Sequence, residues 1–483
     1  MLAAREWIPR LAPALITLTL ALVLGRVWCG WICPLGTLLG WIRLRGSRRP
    51  ERRVRPWLPA VKYGLLGVIA VMAAFGSLTL LVLDPIALLT RAATTSLLPG
   101  LDTTVTALEK AALDSESGGG LVSWIETNLR GAVLPASQPH FEQALAPFLL
   151  LLAVVLLNLL ADRFWCRYLC PLGALLGLAA RFQVLRPLVG EGCTTCGACV
   201  RSCRMSAIEL AAKPGDAATG RATPAARVVT PECTMCLDCL VACPEHGAMS
   251  VGSALRSEPW TGFDPGRRRF VTAAALGVGA ALGSGAIVLL NGSVAAGATN
   301  QRLIRPPGTH DEDAFLSRCL RCSECMLVCP TSGLQPALGR GGLAAIWTPV
   351  LTPRVGYCDY ACTACSQVCP SGAIPELGLE AKRTQVLGRA VIDQVRCLPW
   401  ATDTPCVVCE EVCPVPHKAI VLGGQRLVTR ADGTQDYLAR PAVIPGRCIG
   451  CGICENKCPV EGTAAIVVQR HGSGERRRRR RQS

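Results

Sequence analysis

Residues 448–459 read CIGCGICENKCP, with cysteines at 448, 451, 454 and 458 and a proline directly after the last. The same CxxCxxCxxxC run recurs at Cys193, Cys196, Cys199 and Cys203, at Cys233, Cys236, Cys239 and Cys243, and at Cys319, Cys322, Cys325 and Cys329. Two looser copies complete the set: Cys358, Cys362, Cys365 and Cys369, then Cys397, Cys406, Cys409 and Cys413. With Cys448, Cys451, Cys454 and Cys458 they make six quartets, or 24 of the chain's 28 cysteines. Five of the six end in Cys-Pro; Arg204 follows Cys203 instead.

The spacing has a physical cause. Cysteines three apart wrap a tight loop around one iron–sulfur cube, and the cysteine before proline reaches back to a neighbouring cluster. Zinc wants two separated knuckles, and disulfide scaffolds do not repeat one spacing six times. The quartets therefore predict six [4Fe–4S] clusters in α+β bacterial-ferredoxin-like domains, a chain built to move electrons.

Mean hydropathy is +0.36 over 483 residues, and the apolar excess sits in runs. Four runs suggest bilayer spans, which take about 20 apolar residues: 11–28, 63–83, 144–161 and 270–290. Arginine-rich stretches at 43–55, 163–186 and 267–269 would face the cytoplasm. That rule predicts a multi-pass plasma-membrane protein with quartets one and two inside and the last four outside. The net charge of +16 is largely juxtamembrane arginine plus the run Arg476 to Arg481, which reads as a solvated tail, with the lipid bilayer and no nucleic acid as partner.

The other four cysteines lie in an internal repeat. Residues 26–40 read RVWCGWICPLGTLLG and residues 163–177 read RFWCRYLCPLGALLG, identical at ten of fifteen positions. Two such copies would face each other, bringing Cys29, Cys33, Cys166 and Cys170 together. Four thiolates there would hold an iron or a cluster, or form redox-active disulfides; buried free cysteines also serve as small apolar residues. The register of the repeat favours a redox or metal role.

The doubled CxxxCP, the two quartets after it and DPIALLTR at 84–91 resemble the NapH/NosR/CcoG family of membrane ferredoxins. From Arg267 onward, RRRFV at 267–271 matches a twin-arginine export pattern. The later quartets, such as RCLPWATDTPCVVCEEVCPVPHKAI, resemble the NapG/MauM family of four-cluster periplasmic ferredoxins. The chain looks like a fusion of the two. Its expected domains are a membrane domain at 1–188, a two-cluster ferredoxin at 189–256, a signal anchor at 266–296, a four-cluster ferredoxin at 300–470 and a basic tail at 471–483. The resemblance implies a quinol dehydrogenase type of electron carrier, passing electrons from the membrane quinol pool to a periplasmic redox protein or reductase. It also implies that quartets three and six share two clusters, and quartets four and five the other two. Rival expectations are an assembly or regulatory factor for a respiratory metalloenzyme and an input module fed by a cytoplasmic donor. No CxxCH motif is present, and none of the five histidines falls in a predicted span, so haem is not expected. No site for transforming a soluble substrate is legible.

Overall fold

The computed structural model describes residues 3–4, 9, 12–42, 58–114, 119–130, 134–135, 138–190, 192–210, 226–245, 247–253, 303–309, 311–429 and 435–470. The predicted run 270–290, the twin-arginine segment and the basic tail lie outside them.

The first part is helical: α1 (Pro13–Leu24), α2 (Pro34–Trp41), α3 (Leu58–Ala74), α4 (Pro85–Ala92), α5 (Leu98–Leu113), α6 (Gly119–Asn128), α7 (Leu145–Leu156) and α8 (Pro171–Ala180). The expected α-helical membrane domain is contradicted. Among the described residues no helix is long and apolar enough to cross a membrane. The run 11–28 is cut at Gly25, whose φ of 71° closes α1 after 12 residues. The run 63–83 breaks at Gly76, φ 81°, ending the 17-residue α3. The run 144–161 gives a 12-residue helix and then a 3-10 turn, where buried Asn158 donates to the Leu39 carbonyl at 3.1 Å. Continuous hydropathy overlooked these breaks. The multi-pass plasma-membrane localisation, the bilayer as partner and the inside–outside assignment built on those spans are withdrawn with them.

Both CxxxCP copies fold alike. In each, the first cysteine lies within a π-helical turn (Trp28–Ile32 and Trp165–Leu169), and the last cysteine stands in extended conformation before a proline that opens α2 or α8. Proline's fixed φ suits that first helical position.

Cysteine-rich modules built on short antiparallel ladders follow. In the first, β1 (Leu185–Val189) pairs with β4 (Met249–Ser253), Leu185 opposite Ser253, and β2 (Ile208–Leu210) pairs with β3 (Ala226–Val228). In the C-terminal part β5 (Leu334–Pro336) pairs with β6 (Pro349–Leu351). There β7 (Gly388–Ile392) pairs with β10 (Ile466–Arg470), and β8 (Ile420–Thr429) with β9 (Gln435–Val443). Cysteines share the cores with aliphatic residues: Cys448 and Cys454 pack with Ile304, Met326, Ile420 and Val468.

Candidate cluster-binding centre

The quartets interleave. Cys193, Cys196 and Cys199 line one cavity with Cys243, and Cys233, Cys236 and Cys239 line another with Cys203. Cys448, Cys451 and Cys454 share a cavity with Cys413, and Cys397, Cys406 and Cys409 share one with Cys458. Cys319 and Cys369 pack in one core against Cys325, whose thiol is pushed well up by burial and by Cys319, Cys322, Cys365 and Cys369. Burial, then Cys358, Cys329 and Cys362, push the Cys365 thiol up to about 12. Three cysteines of one run thus meet the last cysteine of another, as the ferredoxin spacing requires. The pairing differs from the one the resemblance implied: quartet three exchanges with four, and five with six.

Backbone shape explains why the uninterrupted runs recur. At the second and fourth positions after the first cysteine the chain turns left-handed: Thr195 and Gly197, Met235 and Leu237, Arg321 and Ser323, Gly450 and Gly452. Non-glycine residues there cost roughly 1 kcal/mol or more each. Such alternation turns successive N–H groups inward, an anion-binding nest. Backbone amides do donate to cysteine sulfur: Ala207 N to Cys203 Sγ at 3.2 Å, Ala419 N to Cys413 Sγ at 3.3 Å, Ala390 N to Cys448 Sγ at 3.4 Å. Thr234 Oγ1 and Ser323 Oγ, buried next to quartet cysteines, have no protein partner. Inward amides, orphaned hydroxyls and four sulfurs around one cavity fit an anionic iron–sulfur cube. Among the described residues no three ligating groups converge on a single metal ion, whereas a cube spreads its four thiolates over four irons.

The CxxxCP repeat also converges. Cys29, Cys33, Cys166 and Cys170 are all buried. Burial, then Cys29 and Cys33 from the first copy, push Cys166 in the second up to about 12. Next to them lies a charged cluster that the sequence reading missed. Arg26 and Lys62, both fully buried, meet on Glu232, the residue before Cys233: Arg26 Nη1 donates to Oε2 at 3.2 Å, and Lys62 Nζ donates to the same oxygen. Tyr63 OH donates to Oε1 at 3.2 Å. Arg26 Nη2 also reaches the Cys166 carbonyl at 3.4 Å. The repeat held the one available signal, an arginine opening both copies.

A second contact leads from α4 to the C-terminal part. Asp84 caps α4, accepting from Ile86 N and Ala87 N at 3.0 and 3.1 Å. Thr90 Oγ1 donates to the Cys322 carbonyl at 3.2 Å, and buried Arg91 donates to the Arg321 carbonyl. The segment 84–91, singled out by resemblance, is thus the strut between the helical part and the third quartet.

A family description, 4Fe-4S binding domain, matches residues 7–53 and 143–189, which contain the two CxxxCP copies, and a second of the same description matches 441–461. Ferredoxin-type protein NapG of Escherichia coli is 36% identical over 42% of this chain and 85% of its own length. Methylamine utilization ferredoxin-type protein MauM of Methylorubrum extorquens is 34% identical over 35% of this chain and 72% of its own. MauN of the same organism is 29% identical over 40% of this chain and 52% of its own. A formate dehydrogenase–heterodisulfide reductase–formylmethanofuran dehydrogenase complex from Methanospirillum hungatei covers 59% of this chain and 78% of its own at 19% identity, but its TM-score of 0.14 carries no argument. Matched over most of the length of NapG and MauM, and carrying the interleaved quartets, the chain belongs to the NapG/MauM family of ferredoxin-type proteins.

Proposed function

We propose that the chain is an iron–sulfur electron carrier holding six [4Fe–4S] clusters, fed by quinol and discharging to a periplasmic redox protein or reductase. The observation that carries this reading is the interleaving of 24 cysteines into six groups of four. Each cluster, when bound, accepts and passes on one electron. The residues around it supply thiolate ligands and, in the four uninterrupted runs, inward N–H groups.

The groups are placed for a relay. The Cys325 thiol lies near Cys365, Cys451 near Cys358, and Cys454 near Cys409. Cys358 N also donates to the Cys451 carbonyl at 2.8 Å. The C-terminal groups thus form a row: Cys319, Cys358, Cys448, Cys397. The periplasmic acceptor is proposed from the NapG and MauM likeness. The quinol donor and a fused NapH/NosR/CcoG-type first part are proposed from the CxxxCP repeat. The limits 189–256 and 300–470 for the two ferredoxin domains are part of this proposal.

Iron and labile sulfide in anaerobically purified protein test the cofactor claim: about 24 of each from the six quartets, with low-temperature EPR of the reduced form. A count near eight iron, or stoichiometric zinc, would sink it. Reduction of the clusters by a quinol analogue tests the donor; no reduction by quinol alongside fast reduction by a cytoplasmic ferredoxin would transfer the role to an input module.

A further inference from the structure

We propose that Asn158 and Arg163 together hold a ring hydroxyl of the quinol, against the last turn of α2. This rests on the reading of the chain as a quinol-fed carrier and gives the quinol its seat.

Two side chains meet one peptide unit. Asn158 stands in the 3-10 turn after α7, and its Nδ2 donates to the Leu39 carbonyl at 3.1 Å. That bond settles the orientation of the amide and leaves Oδ1 as the free end. Arg163 comes to the next residue of α2: a Cβ on Gly40 would lie 2.8 Å from Arg163 Nη2 and 3.5 Å from Nε. Glycine at 40 thus leaves the guanidinium its place. Asn158 and Arg163 are each 5% exposed. Asn158 Oδ1 and Arg163 Nε are buried and have no hydrogen-bond partner among the described residues.

The repeat supplies a contrast. Arg26 holds the same position in the first copy, and its Nη1 is spent on Glu232 and on the Pro231 carbonyl. Arg204, which replaces the proline after Cys203, also approaches Gly40, with Nη1 3.4 Å from the same Cβ position. Its charge is met by Asp238 at 3.1 Å. Arg163 Nε keeps its donor unused.

A buried donor and a buried acceptor at one spot call for a partner that does both, since each left unpaired costs free energy. An anion or an iron–sulfur group only accepts and would leave Oδ1 unpaired. A ring hydroxyl donates to Oδ1 and accepts from the guanidinium at once. Water does the same, but the residues flanking the pair in sequence are apolar and open. Trp41 is 82% and Leu160 70% exposed, and Leu156 and Leu159 are exposed as well. Apolar surface beside a few buried polar groups suits an aromatic head with an apolar tail.

The location suits delivery of electrons. Arg163 lies close enough to Cys166 to act on its thiol. Leu39 packs in the core that holds Cys166 and that Cys203 and Cys233 border. Oxidation of the bound quinol to quinone breaks both O–H bonds. The two protons pass to water, and the two electrons leave one at a time for the iron–sulfur groups on the Cys203 and Cys233 side.

The test is binding of menadiol and menadione to the anaerobic full-length protein by equilibrium dialysis, with iron measured in each preparation. Menadiol is added to chemically reduced protein, so that no electron transfer follows. Wild type binds both. Arg163→Gln weakens both by about tenfold or more, because it removes a charged donor. Asn158→Leu weakens menadiol to a similar degree and leaves menadione unchanged, because a quinone has no hydrogen to donate. Retained menadione binding also shows that this variant folds. If both variants bind both ligands as wild type does, the site is overturned and quinol remains the donor at another place. Absence of menadiol binding to wild type that carries about 24 iron overturns quinol as donor. Displacement of menadione by inorganic phosphate, with menadiol binding blind to Asn158→Leu, would make this an anion site and sink the proposal.

Discussion

Arg91 and Arg321 clasp each other's surroundings. Arg91 donates through Nη2 to the Arg321 carbonyl at 3.2 Å, while Arg321 Nη1 reaches back to the Leu78 carbonyl at 2.6 Å. The Arg91 guanidinium also stacks 4.2 Å from the Trp347 ring centroid, an attraction that favours arginine over lysine. Both side chains are about 1% exposed. Two buried cations come together here because each is spent on carbonyls of the opposite part and on the negative charge of the third quartet.

That quartet should feel the clasp. Arg91 Nη1 has no protein partner and lies near Cys319 and Cys322. A buried cation beside a cluster stabilises the reduced, more negative form. Arg91→Gln should lower the midpoint potential of the Cys319 group by tens of millivolts, about 59 mV per tenfold change, with Arg91→Lys intermediate. An EPR-monitored redox titration reads this; unchanged potentials in Arg91→Gln would refute the coupling.

The cap of α4 gives a separate handle on the strut. Asp84→Ala removes an acceptor for two helix-end amides and should cost about 1 kcal/mol, whereas Asp84→Asn, a good cap, should cost little. Urea midpoints of the two variants should differ accordingly. Equal midpoints would mean the carboxylate matters through charge rather than capping.

The cysteine spacing made the ferredoxin modules and the converging repeat legible, because ligand geometry is local and written in short intervals. The exchange of a last cysteine with a neighbouring run was legible for the same reason. Which run it pairs with was not: Cys369 joining Cys319 depends on how the strands close, and no motif encodes that. Hydropathy misread the helical part, since glycines 25 and 76 stop helices that the apolar content would continue. Lys62 stands just before the apolar run 63–83, and its partner Glu232 lies 170 residues away.

That partnership carries its own expectation. Glu232→Gln would leave Arg26 and Lys62, both fully buried, without their carboxylate. Breaking a buried pair from one side costs roughly 3–5 kcal/mol. Tyr63→Phe removes only a hydroxyl bond and should cost about 1 kcal/mol. Denaturant midpoints under argon check both. A Glu232→Gln variant as stable as wild type would mean that the two cations are neutralised by something other than Glu232.

The exchange of last cysteines is the sharpest point of difference between rival pairings. Here Cys369 joins Cys319, Cys322 and Cys325, and Cys329 joins Cys358, Cys362 and Cys365. Serine binds iron less well than thiolate, being the harder ligand, so Cys369→Ser should perturb the same EPR signal as Cys322→Ser. It should leave the signal altered by Cys362→Ser intact. If quartet three instead exchanged with quartet six, Cys458→Ser would be the variant that matches Cys322→Ser, and Cys369→Ser would not. The structure places Cys458 in the cavity of Cys397, Cys406 and Cys409, so Cys458→Ser is expected to match Cys406→Ser. Four single variants and their reduced EPR spectra, each with iron content measured in the same preparation, decide between the two wirings. The answer also fixes the order in which electrons meet the row: adjacent pairing puts the Cys319 group at the α4 end and the Cys397 group at the far end, whereas outer–inner pairing would put both ends of the chain at one end of the row.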